Sequence, residues 1–152
     1  MRALALTQAT LPATPRDLIE KIAAFEEVQI GHEPVEVPTG HLIHAGMYAR
    51  TILIPQDMVL TGALMKRASV VIVVGSASVL AGGEWLEFEG YNVIPASAGR
   101  KQVFVSRSLL IITMLFPTQA KTVEDAEAEF TDEAASLLSR RQNANRVVIT
   151  GE

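Results

Sequence analysis

The chain has 152 residues, of which 49% are apolar and 20% charged, enough for one domain with a sizeable core and too apolar for a disordered segment. A net charge of −4 and the absence of cysteine exclude disulfides and thiolate metal centres, and they supply no basic face for nucleic acid. No apolar stretch approaches the ~20 residues of a membrane span, and the N-terminal apolar run is too short for a signal-peptide core. A soluble, cytoplasmic protein with no membrane partner is therefore expected.

Three segments follow in chain order. In residues 1–39, Thr14-Pro15-Arg16-Asp17 supplies an N-cap, a first-turn proline and a first-turn acid, and Leu18, Ile22 and Phe25 recur at helical spacing. This predicts a short helix to about Glu27. Gly31, Pro34 and Pro38 then mark a linker that carries His32.

Residues 40–117 are rich in β-branched side chains and broken at short intervals. The runs "MYARTILIP", "MVLTGALM", "SVVIVVG", "SASVLAGGEWLEFEG", "YNVIPASAGRKQVFV" and "LLIITMLFP" read as strands. Gly82-Gly83 signals a hairpin, and Pro95 to Gly99 a longer turn. The continuously apolar runs Val70–Val74 and Leu109–Leu115 call for cover on both faces, by the interior on one side and by a helix or partner subunit on the other. The flanks carry most of the acidity, since 41–117 holds four acids against six bases. Arg100 and Lys101, beside the turn, are expected to be solvated.

Residues 118–152 predict a C-terminal helix. It is opened by Thr122 and Asp125 at capping-box spacing, with a break conceivable at Thr131-Asp132-Glu133, and its acidic face is expected in solvent. The terminal "RVVITGE" reads as a strand that needs an edge, in its own chain or in a neighbour's, where it would act as an oligomerisation arm.

The middle segment resembles the cupin superfamily. The likeness rests on Gly46-Met47-Tyr48-Ala49-Arg50-Thr51-Ile52-Leu53-Ile54-Pro55, on Leu60 to Arg67 ("LTGALMKR") and on Pro95 to Gln102 ("PASAGRKQ"). It implies a mostly β fold: a cupin-like, jelly-roll-like antiparallel β-barrel between a short N-terminal helix and a C-terminal helix. Proteins of this look occur in bacteria and bacteriophages, so the resemblance also admits an infected host cell or a virion as the setting. The superfamily's four metal-ligand positions fall on Met65, Arg67, Val71 or Ile72, and Gln102, none of them a usual ligand. No metal and no cofactor are therefore expected.

If the strands alternate as in that superfamily, Met65 and Arg67 point into the barrel and Lys66 points out. Tyr48, Arg50, Met65, Arg67 and Gln102 then line one cavity as candidate ligand-binding residues. Two guanidiniums inside a barrel suit a small anionic ligand. The alternative is structural: interior arginines pair with acids such as Glu84, Glu87 or Glu89, or a one-residue slip turns Arg67 to solvent. His41 and His44 form an H-x-x-H pair without an apparent third ligand. No catalytic residue is assigned.

Three functions remain open. The leading one is a metal-independent protein that binds a small anion without turnover, as a sensor, carrier or sequestering protein. The second is a structural homo-oligomeric module, for instance of a bacteriophage particle, assembled through barrel faces and the C-terminal arm. The third is a metal-independent isomerase or epimerase using His44, Tyr48 or Lys101.

Overall fold

The computed structural model describes residues 9–30 and 35–152. His32, Gly31, Pro34 and the N-terminal apolar run lie outside the described residues. The expected mostly β architecture forms, with ten strands in two sheets and helices before and after them. Helix α1 (Arg16–Ile30) is followed by β1 (Thr39–His44), β2 (Met47–Ile54), β3 (Val59–Thr61), β4 (Ser69–Val74) and β5 (Ala77–Ala81). Next come β6 (Glu84–Phe88), β7 (Tyr91–Ala96), β8 (Val103–Ser106) and β9 (Leu110–Pro117). The chain closes with α2 (Val123–Phe130), a 3-10 turn (Ala134–Ser136), α3 (Leu138–Arg141) and β10 (Asn145–Ile149).

The larger sheet has the order β10-β1-β2-β9-β4-β7 and the smaller the order β3-β8-β5-β6. Period-two alternation decides what each face holds. Val71 and Val73, Ile112 and Met114, and Ile54 turn inward from the larger sheet, Val79 and Phe104 from the smaller, and all are buried in one core cluster. The hairpin expected at Gly82-Gly83 joins β5 to β6 in a register that pairs Ala81 with Glu84, with both glycines at positive φ. Among the described residues, no helix is long and apolar enough to cross a membrane.

Helix α1 lies beside the smaller sheet, where the Gln29 amide donates to the Val59 carbonyl and accepts from the Thr61 hydroxyl. Helix α2 begins at Thr122, whose hydroxyl accepts from the Asp125 amide. It packs Phe130 against Tyr48 and Phe116, with ring centroids 6.3 and 6.0 Å apart.

The break that the sequence allowed at Thr131-Asp132-Glu133 interrupts the C-terminal helix: Thr131 is extended, with φ −154°, because its hydroxyl donates to the Leu64 carbonyl and accepts from the Glu133 amide. Three local expectations are corrected. The acidic face of α2 is not all solvated, since Glu127 is 2% exposed. Residues 62–68 are no regular strand, only an isolated bridge of Met65 with Arg100, so period two does not carry through to Arg67. Arg100 and Lys101 are each 1% exposed rather than solvated, because that bridge and the Thr14–Lys101 bonds hold the turn against the barrel. The terminal strand finds its edge in its own chain, pairing parallel with β1.

Candidate anion site

Two groups of buried cations distinguish the barrel. The first is built on β2, where Arg50 faces inward beneath α2. Its Nη1 donates to Glu127 Oε2 at 3.0 Å and to the Ser139 hydroxyl at 3.1 Å. Ser139 donates to the same carboxylate oxygen at 2.6 Å, and Arg140 Nε donates to Oε1 at 2.8 Å. Burial pushes the Glu127 carboxyl upward, but the Ser139 and Arg140 hydrogen bonds and the charges of Arg50 and Arg140 outweigh it, leaving the group below the ordinary carboxylate range. Arg50 is thus held by an internal acid, though not by Glu84, Glu87 or Glu89; of these, Glu87 pairs with Arg107 at the surface.

The second group comes from the turn into β8. Gly99 adopts φ 80°, and its N–H donates to the Met65 carbonyl while the Met65 N–H donates to the Arg100 carbonyl. The following residues alternate. Arg100 and Gln102 line the barrel cavity, whereas Lys101 turns to α1 and donates to Glu26 Oε1 at 3.0 Å and to the Gly62 carbonyl at 3.0 Å. Lys101 therefore has its carboxylate.

Arg100 does not. Its Nη1 donates to the carbonyls of Arg67 and Ser97 at 3.0 and 2.9 Å, and its Nη2 meets Met114 Sδ at 3.5 Å. Among the described residues no carboxylate lies within ion-pair distance of it. Among the described residues, its Nε–H and the Gln102 amide nitrogen are buried without a partner. Burial brings the guanidinium down to about 10, so it remains charged at neutral pH. Both side chains border a cavity of about 80 Å³, whose wall also includes Arg50, Met65, Phe104 and Met114. Buried donors without acceptors are costly, and a buried cation without a counter-charge more so.

Of the five residues expected to line the cavity, Arg50, Met65 and Gln102 do. Tyr48 is fully buried away from it, donating to His41 Nδ1 at 2.8 Å. Arg67 turns to the outside, lying 4.8 Å over the Phe116 ring and donating to the Pro117 carbonyl and Glu129. Arg100 was missed, yet a signal existed: if Gln102 faces inward, period two carries Arg100 inward with it.

His41 and His44 lie on opposite faces of β1. His41 Nε2 meets Asn145 Oδ1 at 2.8 Å and His44 Nδ1 meets the Thr150 hydroxyl at 2.6 Å. Asn145 Nδ2 donates to the Ser139 and Gln142 carbonyls, which assigns Oδ1 to His41. His41 therefore carries its proton on Nε2 and accepts from Tyr48 on Nδ1. Burial lowers its pKa, with the Asn145 bond opposing and Arg50 assisting. Among the described residues no three of His, Asp or Glu converge on one point. His44, Tyr48 and Lys101 occupy three separate places and share no pocket.

A larger cleft of about 550 Å³ lies between α1, β3 and the 3-10 turn, with Glu26, Glu27 and Glu133 on its wall. Among the described residues on its wall there is no buried donor lacking a partner.

No family model and no curated protein matches the chain. Among solved structures it is similar to a Cupin 2 conserved barrel domain protein from Salinispora arenicola, at 10% identity and TM-score 0.44, over 56% of this chain and 87% of that one. It is also similar to a cupin-2 domain from Rhodospirillum rubrum, at 14% identity and TM-score 0.39, over 71% and 84%. The Cupin_2 domain of an XRE family transcriptional regulator from Enterobacter cloacae gives 11% and 0.40, over 47% and 83%. Likeness at this level assigns no activity, and the reading of the site rests on its own geometry.

Proposed function

We propose that this chain binds a small anion in the barrel cavity without turning it over, with Arg100 supplying the counter-charge and Gln102 a second donor. One observation carries the reading: a fully buried guanidinium with no carboxylate partner among the described residues, bordering a cavity beside a second buried donor that also lacks an acceptor. Everywhere else in the interior a cation has its acid, Arg50 with Glu127 and Lys101 with Glu26.

The cavity of about 80 Å³ is the space of roughly three waters at ~30 Å³ each. That suits a planar anion of three or four heavy atoms, such as a short carboxylate. The apolar wall of Met65, Phe104 and Met114 suits the alkyl end of a short carboxylate, while the guanidinium edge pairs with its oxygens.

The test is thermal unfolding in formate or acetate against chloride and sulfate at constant ionic strength. A saturable rise in Tm with the short carboxylates, lost in Arg100→Met and kept in Arg67→Ala, is expected. Equal curves in all four salts, or the same rise in Arg100→Met, would overturn the reading.

A further inference from the structure

The larger sheet presents its inner face to the core and its outer face to nothing among the described residues. One row across that outer face, in register, is Val148, Leu42, Ala49, Leu115, Val70 and Pro95. The next runs through Arg146, Gly40, Thr51, Thr113, Ile72 and Val93, and a third through Leu53, Ile111, Val74 and Tyr91. Across the three rows one side chain is charged, Arg146, and it stands at the β10 edge beside Gly40. Leu42 and Val70 are 40 and 45% exposed, although both stand on strands flanked on each side by a neighbour.

The smaller sheet is different. Its outer side carries Ser78, Glu87 and Arg107 in one hydrogen-bonded group, and α1 lies beside it. The lack of charge is therefore a property of one face and not of the whole barrel.

From this face we infer that the protein is a two-fold dimer, with the outer face of the larger sheet packed against the same face of a second copy. Three observations choose a second copy as the occupant. The first is extent. Six strands at ~4.8 Å and three rows at ~6.8 Å span, with their side chains, roughly 30 by 20 Å. That is on the order of 600 Å², close to the ~800 Å² per partner of a stable interface and at the top of what monomers expose. The second is charge: with Arg146 at the β10 edge, the centre of the face carries none and is complementary to itself, the condition an isologous contact must meet. The third is the polar content. The only hydroxyls in the middle of the face, on Thr51 and Thr113, already bond one another at 2.8 Å. Burial therefore leaves neither without a partner, and the partner need supply nothing. Two such sheets stack about 10 Å apart with strands nearly aligned.

The dimer does not depend on the anion site, which lies on the inner face of the larger sheet, among Arg50, Val71 and Met114. Sedimentation equilibrium of the full chain from about 1 to 100 μM tests it, with Val70→Glu, Leu42→Glu and, on the other sheet, Trp85→Glu. A wild-type dimer, weakened at least 100-fold by Val70→Glu and by Leu42→Glu and unaffected by Trp85→Glu, is expected. Circular dichroism checks that each variant is folded, and Leu42→Glu, nearer the sheet edge, serves if Val70→Glu is not. A wild-type monomer across the range overturns the inference, as does a dimer that survives both substitutions on the face.

Discussion

Arg50 and Arg100 border the same cavity, and their surroundings differ in one respect. Arg50 meets a carboxylate that is also bound by Ser139 and Arg140, so its charge is cancelled within the chain. Arg100 meets two carbonyls and a thioether, which orient a guanidinium without neutralising it. A cation whose counter-charge is built in belongs to the architecture. On the function proposed above, a cation held in place but left uncancelled takes its opposite number from outside the chain, and the difference separates the structural part of this barrel from the part proposed to bind.

The sharpest way to break that comparison is to remove the built-in acid. Glu127→Ala leaves Arg50 buried beneath α2 without its carboxylate, and a loss of about 3–5 kcal/mol in urea unfolding is expected. In Arg100→Met, anion-free buffer should show a smaller loss, roughly 1–2 kcal/mol for two orphaned carbonyls. What should vanish is the anion-linked part, about 2.7 kcal/mol at a hundred times Kd. If Arg100→Met proves as damaging as Glu127→Ala without any anion, the two arginines are alike and the comparison fails.

Titration gives a third test. The folded His41 has a lowered pKa, so the unfolded chain takes up a proton first as pH falls through about 6.5. Stability contributed by neutral His41 is present above that pH and lost below it, through the depressed folded value. Glu127, also depressed, adds a second loss of the same sign lower down, in the carboxylate range. Urea midpoints should therefore fall in two steps on acidification, and His41→Gln should flatten only the upper one. The smallest effect belongs to Gln102→Leu, which removes a buried amide nitrogen that has no acceptor. It should raise anion-free stability by up to about 1 kcal/mol while weakening acetate binding, read from the same melts.

Much of the fold was legible because its signals are local. The β-branched runs of β2, β4 and β9, the paired glycines before Glu84 and the Thr122 cap each act within a few residues of themselves. The site was less legible because its determinants are distant. Nothing near Arg50 announces Glu127, 77 positions away, and an arginine after a glycine turn reads as solvated until the Met65 bridge folds it inward. Arg67 shows the limit of alternation, which holds only while the backbone is a strand; between Gly62 and Ala68 it is not. The apolar run of β4 did call for cover on its outer side, and α1 and α2 both lie elsewhere.

The parallel pairing of β10 with β1 has a kinetic consequence. Thr39 meets Asn145 in that ladder, so the contact closes a loop of more than a hundred residues, at an entropic cost that local hairpins such as β5–β6 do not bear. Two histidines from one strand, bonded to Asn145 and Thr150, fasten it from opposite faces. The order of assembly follows: hairpins first, β10 last, and the same strand first to open. Amide hydrogens of β10 should exchange with solvent well before those of β2 and β9, so that the barrel keeps its form while its last strand comes and goes.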